Sequence, residues 1–262
     1  MKDYILKIFC LVALAFPVAV MPVSACNTLA DSLSMTTRRA DAGIYSFTIP
    51  EIAVPVALTG LSAWAVGNGW LEKRKYDIQD ALSASGRHHI RIDEFTPYLP
   101  LAAVYGLNVC GVRGRHNYLD ATIIVAMSYA TMTAATYALK YTFRERRPDG
   151  SERNSFPSGH TATAFMAATA LYNEFRHVSP WIGYGGYAVA ALTGYLRVYN
   201  NRHYINDVIA GACIGYLSTK FAYWLFPRIF KQKVAGYSDA TNISGSPFCC
   251  PDGVGMSLSI SF

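Results

Sequence analysis

Six side chains in the second half of the chain carry the chemistry: Lys140, Arg147, His160, Arg197, His203 and Asp207. They fall into three groups around the stretch Asn154-Ser155-Phe156-Pro157-Ser158-Gly159-His160-Thr161. Upstream, Lys140 is followed after six residues by Arg147-Pro148. Downstream, Arg197 precedes His203 by five intervening residues, and His203 precedes Asp207 by three. Two histidines, one carboxylate and three fixed cations are the set that phosphoryl transfer through a histidine nucleophile requires. Lys140, Arg147 and Arg197 suit the neutralisation of phosphoryl oxygens, arginine as a planar fork of donors and lysine as a point charge. Ser158 is a good helix N-cap, the amides at a helix start favour an anion, and Gly159 lets the backbone approach an oxygen closely. His203 and Asp207, four apart, are predicted to share a helical face, where the carboxylate fixes the imidazole tautomer and raises its basicity. Arg144, Arg146 and Arg153 read as loop or rim cations.

The elements that must position these groups are helices. Ile52 to Leu71 is twenty residues without a charge, the length of a bilayer span, though interrupted by Pro55 and three glycines. Glu72 to Glu94 reads as a charged connector in which the His88-His89 pair is solvated. Phe95 to Val112 is uncharged but holds Pro97 and Pro100. Ala121–Leu139, Gly159–Asn173, Val178–Leu196 and Val208–Phe226 are predicted helices, with Pro227 and the basic Arg228, Lys231 and Lys233 ending the helical part. Alternating helix directions bring all three groups to one end. The expected fold is all-α: an antiparallel bundle of about six helices spanning residues 51–230, membrane-embedded or membrane-associated. Residues 231–262 are expected to form a polar tail, strand-like at its end by the period-two pattern from Met256 to Phe262.

The joint spacing Lys140–Arg147, Ser158-Gly159-His160 and Arg197–His203–Asp207 resembles that of the type 2 phosphatidic acid phosphatase superfamily. That superfamily includes lipid phosphatases, bacterial acid phosphatases and vanadium haloperoxidases. The resemblance covers roughly residues 95–226. It implies His203 as the nucleophile forming a phosphohistidine, Asp207 orienting it, and His160 protonating the leaving oxygen and later activating water. It also implies phosphate binding by Lys140, Arg147, Ser158, Gly159 and Arg197, with no metal or other cofactor. Leu196 departs from the family, which often has Ser there. Arg147-Pro-Asp-Gly-Ser151 and Asn201-Arg-His-Tyr204 are similar to exported members from Bacteroidetes-type bacteria, some of which act on lipid A. The expected partner is therefore a phosphorylated envelope lipid. Undecaprenyl pyrophosphate, phosphatidylglycerol phosphate or soluble esters are alternative substrates, and an inactive scaffold is the alternative outside enzymology.

Composition is compatible with these expectations. Apolar residues make up 52% of the 262 and charged residues 15%, against about 25% charged in soluble domains. The +6 net charge sits partly in the three groups, which favours an anionic substrate over nucleic acid. The six cysteines show no metal-ligand spacing, and Cys110 and Cys213 read as core residues. Residues 1–25 read as a secretory signal, with Val23-Ser24-Ala25-Cys26 resembling a lipobox, and 26–50 as an exposed lead-in. Export places the active site at the periplasmic face of the inner membrane or on a periplasmic, membrane-associated domain. Six crossings counted from Ile52 would put it in the cytoplasm, and the proline-bearing Phe95–Val112 is the first segment suspected of not crossing.

Overall fold

The computed structural model describes residues 47–82, 91–235, 242–250 and 253–261. The expected signal segment, the Cys26 lipidation site, most of the lead-in and the His88-His89 pair lie outside the described residues. Seven α-helices occur among those described: α1 Ile49–Gly67, α2 Gly69–Leu82, α3 Leu99–Val109, α4 Tyr118–Phe143, α5 Gly159–Phe175, α6 Pro180–Tyr199 and α7 Ile205–Ala235. Two short 3-10 turns, Arg91–Glu94 and Thr96–Tyr98, precede α3. The bundle is all-α as expected, and the helix beyond the expected six is α2, formed where a charged connector was anticipated. Asn68 starts it, its side-chain oxygen accepting from the amides of Trp70 at 3.2 Å and Leu71 at 3.3 Å. Charge did not prevent a helix, because Lys75 and Gln79 turn inward and find partners.

Helix ends follow their local chemistry. Glu51 reaches back to the Thr48 amide at 3.1 Å to open α1. Asn117 caps α4 by accepting from Asp120 N at 2.8 Å, and Arg144 in the left-handed region ends it. Ser158 caps α5, and Pro180 occupies the first turn of α6. Pro227 does not terminate α7, which runs on to Ala235. A proline removes one backbone donor and bends a helix without always ending it, and long apolar helices tolerate this.

The bundle is centred on α5, which packs against α6 on one side and α7 on the other, with α3 and α4 completing its shell. Nearly every α5 side chain is buried, most of them Ala or Thr. Small residues let the neighbours come close. A Cβ on Gly211 of α7 would lie 2.5 Å from the Ser158 carbonyl, and one on Gly215 would lie 2.2 Å from the Ala162 carbonyl. The spacing Gly211-x-x-x-Gly215 thus sets α7 backbone-to-backbone against the start of α5. Among the described residues, three helices are long and apolar enough to cross a membrane: α1, α4 and residues Ile205–Phe230 of α7. The apolar side chains of α1, among them Ile49, Val54, Val56, Leu61 and Trp64, are exposed rather than packed, which suits a lipid-facing surface. The suspected segment holds the Thr96–Tyr98 turn and the 11-residue α3, together short of the about 20 residues a span needs.

Two further expectations need correction. Cys213 is buried as anticipated, but Cys110 is exposed, because it caps the end of α3 rather than facing the bundle. The tail contains two strands, not one. β1 Asn242–Cys250 pairs antiparallel with β2 Gly253–Ser261 in the register Asn242↔Ser261 to Cys250↔Gly253. Only β2 carries the strict alternation; β1, with Gly245 and Pro247, has no clear period.

Candidate active site

The three sequence groups meet at one end of the bundle. Lys140 lies in the last turn of α4, inside the helix rather than after it, and its Nζ donates to the Asn154 carbonyl at 2.5 Å. The loop from 144 to 158 follows. In it Arg147 is held by two partners, its Nε donating to Asn154 Oδ1 at 2.8 Å and its Nη2 lying 3.3 Å from Glu152. A cis Phe156–Pro157 bond precedes the α5 cap. Arg197 lies in the last turn of α6, and the chain then turns through Asn201, which adopts a positive φ of 58°.

A cleft of about 490 Å³ opens here, lined by Arg91, Asp93, Glu94, Arg147, His160, Arg197, Asn200 and Arg202. Four arginines against two carboxylates, Asp93 and Glu94, leave the opening net positive, which favours an anion. Arg197 is 5% exposed, and its Nη1 donates to Asp93 Oδ2 at 2.8 Å while its Nε has no protein partner. Asp93 thereby fixes the guanidinium and leaves donor capacity for a ligand. Arg202 is steadied by Asp149 at 3.1 Å.

Ser158, expected both as a helix cap and among the phosphate-binding residues, is seated as the cap of α5. Its hydroxyl lies 3.4 Å from Thr161 N as acceptor and 3.0 Å from the Thr161 hydroxyl, its carbonyl accepts from Ala162 N, and its amide donates to the Asp207 carbonyl at 3.0 Å. Ser158 is the cap itself. The first amides of α5, those of Gly159 and His160, have no acceptor one turn earlier in the helix and are the ones open to an anion.

His203 and Asp207 do not share a helical face. His203 sits in the turn before α7, and Asp207 is in the first turn of that helix. Their approach comes from the turn: Asp207 Oδ2 accepts from the Tyr204 amide at 3.0 Å, as the acidic half of a capping box does. His203 Nδ1 is 2.9 Å from the Ser155 carbonyl and 3.5 Å from Asp207 Oδ2. A carbonyl only accepts, so Nδ1 carries the proton and Nε2 keeps its lone pair. Asp207 acts on this histidine through Ser155, whose hydroxyl donates to Asp207 Oδ2 at 2.5 Å. His203 is 1% exposed and does not line the cleft. Its burial, with the positive charges of Arg197, Lys140 and Arg147 around it, pulls its pKa well below the usual histidine value and keeps the ring neutral.

Several site residues went unseen in the sequence. Asp93 and Ser155 are two. Lys75 and Glu145, a buried ion pair, are two more. Gln79 is a fifth: its Nε2 donates to the Val198 carbonyl at 3.0 Å and to Asn201 Oδ1 at 2.7 Å, pinning the turn that delivers His203. Of these only Ser155, inside the Asn154–Thr161 stretch, had a sequence signal.

The PAP2 superfamily pattern matches residues 119–231. A lipid A 1-phosphatase of Porphyromonas gingivalis is 32% identical over 233 residues, which are 86% of this chain and 51% of that protein. Bacitracin transport permease protein BcrC of Bacillus licheniformis is 34% identical over 76 residues, 29% of this chain and 36% of that one. The chain thus spans about half the length of the first relative and less of the second. Among solved structures, the PAP2 type phosphatidylglycerolphosphate phosphatase of Bacillus subtilis has a TM-score of 0.51 and 17% identity, covering 71% of this chain and 98% of that one. That is a likeness of fold. The LpxE structure of Aquifex aeolicus has a TM-score of 0.43 and 25% identity, over 56% of this chain and 93% of that one.

Proposed function

Since the chain belongs to the PAP2 superfamily through residues 119–231, we propose that it is a phosphatase hydrolysing a phosphate monoester of an envelope lipid, with lipid A the leading substrate. The observation that carries the chemistry is the pairing of His203 Nδ1 with the Ser155 carbonyl, because it supports a proton on Nδ1 and leaves the Nε2 lone pair for attack, with three cations acting on the ring. The substrate class rests on two features. The cleft is lined by four arginines, and apolar α1 side chains face outward near the same bundle. Lipid A itself comes from the name of the Porphyromonas relative.

In this reading the phosphate seats against Arg147, Arg197, Lys140 and the amides at the start of α5. Nε2 of His203 attacks phosphorus in line with the leaving oxygen, which takes a proton from His160. A water, deprotonated by His160, then releases phosphate from the phosphohistidine. Asp207 holds Ser155 and through it the imidazole. The reaction uses fixed charge and positioning more than bond-making by the protein, as phosphoryl transfer allows. The short α3 supports a site facing the periplasm, because the segment it occupies then need not cross.

The test is phosphate release by purified protein in detergent from lipid A, undecaprenyl pyrophosphate, phosphatidylglycerol phosphate and a soluble aryl phosphate, with His203→Ala alongside. Release from lipid A that His203→Ala abolishes is expected. Release from the aryl phosphate alone would overturn the lipid reading. No release from any, with vanadate also failing to bind, would overturn the enzymatic one.

A further inference from the structure

Behind His203 lies a second buried carboxyl group, Glu145, whose role neither the motif spacing nor the phosphate-binding set accounts for. It is 9% exposed. Its Oε1 accepts from Lys75 of α2, itself 4% exposed, and its backbone carbonyl accepts from Ser155 N at 2.9 Å. The Lys75 ammonium also lies 4.5 Å from the centroid of the Tyr204 ring. Asp207, fully buried, comes within hydrogen-bonding reach of the Glu145 carboxyl.

The hydrogen bonds are unevenly shared. Asp207 Oδ2 accepts from Ser155 Oγ and Tyr204 N, while Oδ1 is buried with no partner. Glu145 Oε1 has Lys75, while Oε2 is likewise buried with no partner. Ionised carboxylate oxygens only accept, so two of them cannot satisfy each other. Two adjacent buried negative charges are also unfavourable. A single proton between the groups removes both faults. It supplies the missing donor, and it removes one of the two adjacent negative charges.

We propose that Glu145 and Asp207 share one proton, and that Glu145 is a positioning residue that holds the nucleophilic His203 in register through Asp207 and Ser155. This rests on the reading of His203 as nucleophile. Ser155 is the link: its amide is tied to Glu145, its hydroxyl to Asp207, and its carbonyl to His203. Burial and the Asp207 charge push the Glu145 carboxyl up to about 7, so the shared proton leaves near neutrality. The groups facing Glu145 are Lys75 and Tyr76 from α2, Tyr204 and Asp207 from the start of α7, and Arg146 and Arg147 from its own loop, with Glu72 in the same recess. Loss of the proton sets two like charges side by side and displaces Ser155.

The experiment compares kcat against pH for wild type, Glu145→Gln, Glu145→Ala and His203→Ala, with the lipid substrate that the wild type hydrolyses. Glu145→Gln keeps a donor toward Asp207 that cannot ionise; Glu145→Ala keeps none. The wild type is expected to lose kcat through an alkaline limb near neutrality, and Glu145→Gln to lack that limb. Glu145→Ala is expected to lose about 10²-fold, the scale of an ångström misplacement, and Glu145→Gln about tenfold or less. Superimposable profiles for wild type and Glu145→Gln, with His203→Ala inactive, overturn the proposal while leaving the nucleophile intact. A measurement independent of any variant's folding is infrared spectroscopy of the wild type in an ester-free detergent. A protonated-carboxyl band present at pH 6 and lost at pH 9 is expected, and its absence at pH 6 overturns the shared proton.

Discussion

Replacing Gly211 with alanine tests whether the active site depends on direct contact between the α5 and α7 backbones. A Cβ there would meet the Ser158 carbonyl at 2.5 Å, where ordinary contact begins at 3.4 Å, so α5 must retreat by about 0.9 Å or α7 must twist. The neighbour is backbone and cannot swing aside. Ser158 is the residue whose amide is tied to the Asp207 carbonyl and whose cap sets the direction of His160. A shift near 1 Å in a phosphoryl-transfer site costs about 10²-fold in rate, or about 2.7 kcal/mol on the barrier at 1.36 kcal/mol per tenfold. Overpacking adds about 1–3 kcal/mol of destabilisation. Gly60→Ala in α1 is the control, because a Cβ there meets nothing within 4 Å, and alanine in a helix interior is favoured over glycine by about 1 kcal/mol. Phosphate release and thermal unfolding of both variants in detergent are the assays. Gly211→Ala should lose about 100-fold in kcat with a lowered Tm, and Gly60→Ala should lose neither. A Gly211→Ala protein with kcat within about twofold of wild type and an unchanged Tm would refute the backbone contact as the register of the site.

Asp93→Ala should leave the Arg197 guanidinium buried without its carboxylate, at a cost of about 3–5 kcal/mol, lowering Tm and raising KM. The Asp93→Ala/Arg197→Met double variant should recover part of the Tm, and strictly additive losses would count against the pair. The neutral state of His203 has a sign that can be checked. A histidine pulled below its ordinary value stays unprotonated as pH falls through 6.5, so the acid limb of kcat/KM should lie below 6.5; a limb centred at or above it would contradict the geometry.

Much of the site could be read from the chain because its parts are short-range. Lys140 to Arg147, Ser158 to His160 and Arg197 to Asp207 are each fixed by one helix end or one turn, and residue spacing reports turns well. The misreadings came from assuming regular helix where the chain leaves it. His203 was placed on the helix of Asp207, yet it belongs to the preceding turn. The residues that hold Arg197, Glu145 and Asn201 were invisible for another reason. Asp93 meets Arg197, Lys75 meets Glu145 and Gln79 meets Asn201 across 70 to 122 residues of sequence, and no local pattern encodes such pairings. Lys75 and Gln79 even looked like solvated charge and polarity, because a short amphipathic helix and an exposed connector share a composition.

The central position of α5 bears on how the protein is made. Its flanks carry Thr163, Thr169, Asn173 and Glu174, all buried, and at 17 residues it is not among the described helices long and apolar enough to cross a membrane by themselves. Glu174 is satisfied by the ring and amide of His116 and by the hydroxyl of Tyr223 at 2.6 Å. Thr219 donates to the Met166 carbonyl at 3.1 Å. Tyr223 and Thr219 belong to α7, which leaves the ribosome after α5. In a bilayer, α5 would therefore wait beside the translocation machinery until α7 emerges, and the two would enter together. A chain truncated before Thr219 would keep the His116 contacts of Glu174 but lose the α7 hydroxyls that meet Glu174 and the Met166 carbonyl.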